Sequence, residues 1–188
     1  MSQPNPIHVL GFAGSLRQNS YNKALLRAAE QLIPDGMTFE NYDLAAIPLF
    51  NADVEAVGTP DSVLHFRDRI RAADALLIAT PEYNYSVTAV LKNAIDWASR
   101  GKPDSSPLND KPVAIMGAGG GGGTVRAQMH LREILMHNRN YVVISPQVMV
   151  ARAGQYFDDN LNLTDAAIGE RIHRLLVSLA DLTRRLQN

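Results

Sequence analysis

The chain has 188 residues, 46% of them hydrophobic and 20% charged, the balance of a globular fold rather than a disordered one. Eighteen Lys and Arg against nineteen Asp and Glu leave a formal charge of −1, so neither nucleic acid nor an anionic membrane is expected as a whole-surface partner; a local basic pocket is compatible with that balance. Cysteine is absent, which excludes disulfides, cysteine-ligated zinc, iron–sulfur clusters and any thiol nucleophile.

In chain order, Ile7–Ala13 reads as a continuously apolar strand turned over at Gly14. A helical pattern runs from Ser20 through Leu25, Ala28, Ala29 and Leu32 and stops before Pro34-Asp35-Gly36. Met37–Tyr42 suits a second strand, and a long irregular stretch with Pro48, Gly58 and Pro60 follows. Thr59 or Asp61 is expected to cap the next helix, in which Val63, Phe66, Ile70 and Ala73 share an apolar face. Ala75–Thr80 is a third buried-type strand, stopped by Pro81.

Val87, Val90, Leu91, Ala94, Ile95 and Ala98 then recur at helical spacing, with Trp97 as core. Lys92 and Asp96 stand at i, i+4 in the less favourable charge order, which suggests tertiary partners for them. A turn-rich connector, Arg100–Pro112 with Gly101, Pro103 and Pro107, leads to a fourth strand at Val113–Met116. A glycine-rich loop opens a helix near Thr124, Tyr141–Ser145 is a fifth strand, and the last helix carries Ile168, Ile172, Leu175, Leu179, Leu182 and Leu186 behind a cap at Thr164 or Asp165. Met1–Pro6 has no Lys or Arg and no apolar run approaches the ~20 residues that span a bilayer, so neither a targeting signal nor a span is expected and the expected location is the cytoplasm.

Strands that are apolar throughout and alternate with amphipathic helices are buried on both faces, which places them in a parallel sheet. The expected architecture is a three-layer α/β domain spanning residues 1–188, a doubly wound five-stranded parallel sheet of flavodoxin-like order 2-1-3-4-5. Ligands of such sheets bind beyond the carboxyl ends of the strands, at the switch in strand order. The loops after strands one, three and four are therefore the candidates.

The first of these, Gly14–Asn22, leaves a buried strand and enters a helix, so free backbone N–H groups and the helix dipole converge on one spot. Ser15 and Ser20 add hydroxyls, Asn22 an amide and Arg17 a guanidinium, a set suited to a monophosphate; no G-x-G-x-x-G and no Walker lysine is present. The competing reading is that Ser20 or Asn19 merely caps the helix and Arg17 is solvated. The second loop, Pro81–Ser86, packs Glu82, Tyr83, Asn84 and Tyr85 into six residues, which suits a planar heteroaromatic ring. Equally open is that Tyr83 and Tyr85 cover the core or a subunit interface while Glu82 caps the next helix. The third, Gly117–Thr124, offers bare backbone for a ligand, as an anion nest or a mobile flap. His130 and His137 lie two turns apart without H-E-x-x-H or a close carboxylate, so no metal site is expected, and Ser15 lacks a hydrolase elbow.

Two blocks stand out together. Gly14, Ser15, Leu16, Arg17, Ser20 and Asn22 meet G-S-L-R-x-x-S-x-N; Pro81, Glu82, Tyr83, Asn84 and Ser86, followed by Leu91, Lys92, Asn93, Ile95, Asp96 and Trp97, meet P-E-Y-N-x-S and L-K-N-x-I-D-W. On these blocks the chain resembles the NADPH-dependent FMN reductase family, in its quinone and chromate reductase branch, from about Ile7 to Ser145. The resemblance implies that Ser15, Arg17, Ser20 and Asn22 hold the FMN phosphate, with Tyr21 among the cofactor-binding residues. It also implies that Pro81, Glu82, Tyr83 and Asn84 lie along the flavin ring and that Gly117, Gly119 and Gly120 meet its pyrimidine side. The fourth-strand loop departs from the family's S-x-G-x-x-G-G, having Gly117-Ala118 and an unbroken glycine run. Arg126 is a candidate for an interface or a nicotinamide-phosphate contact.

The implied activity is transfer of hydride from NADPH or NADH through FMN to a small electron acceptor such as a quinone, chromate, an azo dye or a nitroaromatic. The flavin carries the chemistry, so no catalytic side chain is assigned. Family members are usually dimers or tetramers, which implies a homodimer or homotetramer here. A flavodoxin-type FMN electron carrier without turnover of its own is the alternative; a net charge of −1 gives little of the one-sign field by which carriers steer.

Overall fold

Three strands bury both of their sides, and that requirement sets the layers. The computed structural model describes residues 5–100 and 105–187. Gly101 and Pro103 of the connector and most of the N-terminal stretch read for a targeting signal lie outside these residues. Strand β1 spans Ile7–Ala13, β2 Met37–Tyr42, β3 Ala75–Ala79 and β4 Pro112–Ala118. All five residues of β3 and all seven of β4 are buried. Side chains alternate between faces, as the two-residue period of a strand demands. Ala75, Leu77 and Ala79 of β3 and Ala114, Met116 and Ala118 of β4 join one core, with α1 (Tyr21–Gln31) and α6 (Ala166–Gln187). Leu76, Ile78, Val113 and Ile115 join the other, with α3 (Asp61–Ala72), α4 (Ala89–Ala98) and α5 (Val125–His137). Each fully buried Leu or Ile contributes about 1.5–3 kcal/mol, and this double-sided burial holds the three layers together.

The sheet is parallel in the order β2-β1-β3-β4-β5, a flavodoxin-like arrangement. Its far edge differs from expectation. In place of a strand over Tyr141–Ser145, β5 covers only Tyr141–Val142, and a second run, β6 at Val148–Val150, continues alongside β4. Pro146, which has no N–H for a ladder, stands between the two runs. Strand β6 pairs with Met116–Ala118 and so carries the chain to the carboxyl edge of the sheet.

The region expected to be irregular holds a 3-10 turn at Leu44–Ala46 and a short helix, α2, at Ala52–Val57. No residue of α2 is buried, so no apolar periodicity announces it. It starts at Asn51, whose Oδ1 accepts from the Asp53 amide at 2.8 Å, and is tied down through Glu55 by Arg67 at 3.1 Å and Arg100 at 2.9 Å. Neither Thr59 nor Asp61 caps α3: Pro60 stands at the cap with no side-chain bond, and Asp61 is the first helical residue. Lys92 and Asp96 find each other at 2.6 Å within α4 rather than tertiary partners. Trp97 is fully buried, with its indole N–H donating to Pro48 O at 2.8 Å. Asp165 caps α6 by accepting from the Ile168 amide at 2.8 Å.

Candidate functional site

The carboxyl ends of β1, β3, β4 and β6 surround a cleft of about 430 Å³. Four segments line it: Ser15, Arg17 and Ser20–Asn22 after β1; Pro81–Tyr83 after β3; Ala118–Gly120 at the end of β4; and Arg152–Gln155 after β6. The first block and the Pro81–Tyr83 start of the second therefore meet in one place, where a doubly wound sheet presents a crevice. Asn84 lies on the adjoining hollow, and Leu91–Trp97 belong to helix α4 outside the cleft lining.

Within the first segment the residues divide into builders and open donors. Ser20 caps α1, its hydroxyl accepting from the Lys23 amide at 3.4 Å. Asn22 is buried and spans the sheet edge: its Nδ2 donates to Ala118 O at 2.9 Å and its Oδ1 accepts from Ala118 N at 3.0 Å. One Nδ2 hydrogen is left for anything else, so the side chain acts first as a latch joining α1 to β4. Ser15 is buried, its Oγ accepting from the Arg17 amide at 3.3 Å. The amides of Tyr21 and Asn22 stand in the first turn of α1, where no carbonyl of the helix can reach them. Arg17 is exposed and has no carboxylate partner among the described residues. The cap and the donor cluster thus coexist.

The second segment is a tight hairpin. Tyr83 and Ser86 exchange backbone bonds at 3.1 and 3.0 Å across a two-residue turn. Its central residues, Asn84 and Tyr85, have φ of 51° and 64°, the left-handed pair that a primed two-residue turn requires. Glu82 does cap a helix, but not the one that follows it. Its Oε2 accepts from the amides of Arg126 and Ala127 at 2.9 and 3.1 Å, at the N-terminus of α5. Arg126 lies 4.1 Å over the Tyr85 ring and 3.8 Å from Glu82 Oε1. His130, whose Nδ1 is 3.0 Å from Ser86 Oγ, braces the hairpin from the same helix. The tyrosines do not cover the core: Tyr83 and Tyr85 are 51% and 66% exposed, beside the cleft.

The third segment begins inside the sheet. Gly117 and Ala118 are the last residues of β4 rather than loop. A Cβ on Gly117 would lie 2.1 Å from Thr124 Oγ1 and 2.5 Å from Thr80 O, and one on Gly119 would lie 2.5 Å from Gly123 O, so these two glycines serve packing. Gly120, Gly121 and Gly122 have nothing within 4 Å of such a Cβ and leave bare backbone facing outward. Gly120–Gly123, with Glu82, Asn84 and Tyr85, line an adjoining hollow of about 510 Å³. Cleft and hollow share Glu82 and Gly120.

The fourth segment is absent from the residues singled out in the sequence. Arg152 N donates to Gly120 O at 2.8 Å and Ala153 N to Gly119 O at 3.0 Å, which straps Arg152–Gln155 to the glycine loop. Ending the fifth strand at Ser145 hid it; Val148–Val150, read as a strand, would have put Arg152 under the same edge rule. Among the described residues no three His, Cys, Asp or Glu side chains group to hold a metal ion, and no helix is long and apolar enough to cross a membrane.

Known proteins resemble this chain over nearly its whole length. An NAD(P)H-dependent FMN reductase of Pseudomonas aeruginosa is 50% identical over 182 residues, covering 96% of this chain and 97% of that protein. An NADPH:quinone oxidoreductase of Arabidopsis thaliana is 43% identical over 190 residues, covering 96% and 94%. The solved structure of FerB, a flavoenzyme NAD(P)H:(acceptor) oxidoreductase from Paracoccus denitrificans, superposes with a TM-score of 0.83 at 28% identity, over 95% of this chain and 98% of that one. Residues 7–155 match the family described as NADPH-dependent FMN reductase, and the chain belongs to that family.

Proposed function

We propose that the chain, as one FMN-binding domain over residues 1–188, is an NAD(P)H-dependent oxidoreductase that uses FMN to reduce quinones, with chromate, azo and nitro compounds as further small acceptors. The observation that carries the reading is the convergence of the Gly14–Asn22 loop and the Pro81–Tyr83 loop on one cleft at the carboxyl edge of the sheet, in a chain half identical to an FMN reductase. The residues present fit the cofactor. At one end of the cleft, a buried hydroxyl, first-turn amides and the Arg17 guanidinium form a donor set for a phosphate monoester. Toward the other end, Pro81, Tyr83 and the side-chain-free backbone of Gly119 and Gly120 suit a flat ring.

Bound FMN supplies the two-electron chemistry that joins NAD(P)H oxidation to reduction of the acceptor. The protein's part is placement. Ser15, Arg17 and the amides at Tyr21 and Asn22 would hold the phosphate, and Ser20 and Asn22 fix the helix end that presents them. Glu82 and Arg126 hold the hairpin in position against α5, so that Pro81 and Tyr83 keep one wall of the cleft in place. The bare backbone of Gly120–Gly122, which lines the adjoining hollow, would supply N–H donors to the negative charge that reduction adds to the bound group. The exposed Tyr85 and the glycine backbone leave the hollow open on the solvent side, which supports broad acceptance of small molecules.

The protein works as a homodimer or homotetramer in this reading, with the exposed Tyr85–Arg126 stack at a subunit boundary; dependence on NAD(P)H supports a cytoplasmic location. Purified protein loaded with FMN is expected to show flavin absorption bands that bleach anaerobically with NADPH and return on adding a quinone. Bleaching only in the presence of a separate reductase would move the assignment to an electron carrier. Absence of flavin uptake would defeat the reading altogether.

A further inference from the structure

Two arginines line the cleft, and no carboxylate among the described residues neutralises them. Arg17 stands on the β1 loop and Arg152 on the segment after β6, two loops that β3 and β4 separate in the sheet order. Neither has a carboxylate partner among the described residues. The one acid among the lining residues, Glu82, turns its carboxylate to the α5 amides and to Arg126. The cleft is thus locally cationic in a chain whose formal charge is −1.

The backbone at Arg152 is also unusual. Its φ of 49° and ψ of 46° place it in the left-handed region, which glycine or asparagine enters at less cost than arginine. The bonds from Arg152 N to Gly120 O and from Gln155 N to Arg152 O, at 2.8 and 3.0 Å, hold it there. A strained residue that carries a charge into a ligand cleft points to a binding role.

We infer that Arg152 is a second phosphate-gripping residue, which joins Arg17 at the flavin's phosphate monoester and sets the preference for the phosphorylated flavin over riboflavin. The inference rests on the functional reading above. Arg152 lines the cleft with Ser15, Arg17 and Ser20 and not the adjoining hollow beside Tyr85. Its segment runs from Gly120 to the first turn of α1, where a Cβ on Gly154 would lie 3.1 Å from the Tyr21 hydroxyl. The phosphate, the dianionic part of the cofactor, is the group that two unpaired cations there serve. A dianion between two guanidinium groups makes charge-assisted bonds with both, whereas riboflavin, lacking the phosphate, makes neither.

The test titrates flavin-free wild type, Arg152→Gln and Arg152→Lys with FMN and, separately, with riboflavin, following quenching of flavin fluorescence. Arg152→Gln is expected to raise the Kd for FMN about tenfold to a hundredfold and to leave that for riboflavin unchanged. Arg152→Lys is expected to keep part of the preference and all of the riboflavin binding, which also checks folding. An FMN-to-riboflavin ratio in Arg152→Gln equal to that of wild type would overturn the inference. So would intact FMN affinity with a raised KM for NADPH but not for NADH, which would hand Arg152 to the co-substrate. Wild type that takes up neither flavin would instead bring down the functional reading on which the inference rests.

Discussion

The two edges of the sheet treat charge in opposite ways. At the amino edge a cluster of charged groups is spoken for. Arg69 forks onto both carboxylate oxygens of Glu40, which His8 Nε2 also approaches at 3.3 Å. Asp74 accepts from the His8 amide at 2.8 Å and from Gln187 at 3.2 Å, and the Lys111 ammonium donates to the carbonyls of Ala73 and Arg71 at the end of α3. The hydrogen bonds from Arg69 hold the Glu40 carboxyl below its ordinary value, and burial pushes Lys111 down. At the carboxyl edge Arg17, Arg152, the Ser15 hydroxyl and the first-turn amides of α1 are left for something the chain does not itself supply. Saturated polar groups stabilise a fold; unsaturated ones at a cleft bind.

That contrast can be broken or sharpened by substitution, beginning with a change that should damage both edges at once. Gly117→Ala forces a methyl against Thr124 and the Thr80 carbonyl and is expected to cost about 3 kcal/mol of stability, read as a shift in the urea midpoint. Arg17→Ala separates the two roles: FMN affinity should fall by about 1.5–3 kcal/mol while the flavin-free protein unfolds within about 0.5 kcal/mol of wild type. Loss of stability without loss of affinity would reverse the assignment. Asn22→Ala removes both bonds to the Ala118 backbone and leaves a buried N–H and C=O unpaired, a cost of about 1–3 kcal/mol visible in the flavin-free protein.

At the amino edge, the lowered Glu40 value means that the folded state releases this proton more readily than the unfolded chain. Its stabilisation is therefore fully present above the ordinary carboxyl value and is lost as pH falls through the folded one. Unfolding followed from pH 7 down to pH 3 should show wild type losing about 1 kcal/mol of advantage over Glu40→Gln, with flavin affinity at pH 7 equal in the two. The smallest effect is expected from Gly121→Ala, which meets open space: stability should stay within about 1 kcal/mol of wild type. A large loss there would mean that the loop is packed rather than open.

Much of the fold was legible because double-sided burial writes itself into a strand as an unbroken apolar run. Ile7–Ala13 agrees with the structure residue for residue. Met37–Tyr42 does too, though as a half-exposed edge strand it was readable through Phe39 between polar neighbours rather than through an apolar run. The order of the first five strands follows from parallel pairing with crossover helices. Less visible were elements that bury little. Helix α2 has no buried residue, and β6 is three residues long beyond a proline. The motif residues were legible as a set but not by role. In G-S-L-R-x-x-S-x-N, Ser20 and Asn22 are engaged in building the helix end, whereas Arg17 is free. Nothing in one-dimensional spacing separates a capping serine from a ligand-binding one, since both want an unpaired N–H nearby.

By itself, then, the order of apolar and amphipathic segments determined a parallel three-layer sheet and the edge at which a ligand binds, because burial and right-handed crossover leave few other arrangements. The tertiary structure decided which partner each polar group takes. Glu82 reaches 44 residues along the chain to the amide of Arg126, Asn22 reaches 96 residues to Ala118, and Arg152 arrives at the cleft only because β6 runs beside β4. Hydrogen bonds are short-ranged in space and indifferent to distance along the chain, so their pairing becomes readable only once the sheet has brought its strand ends together.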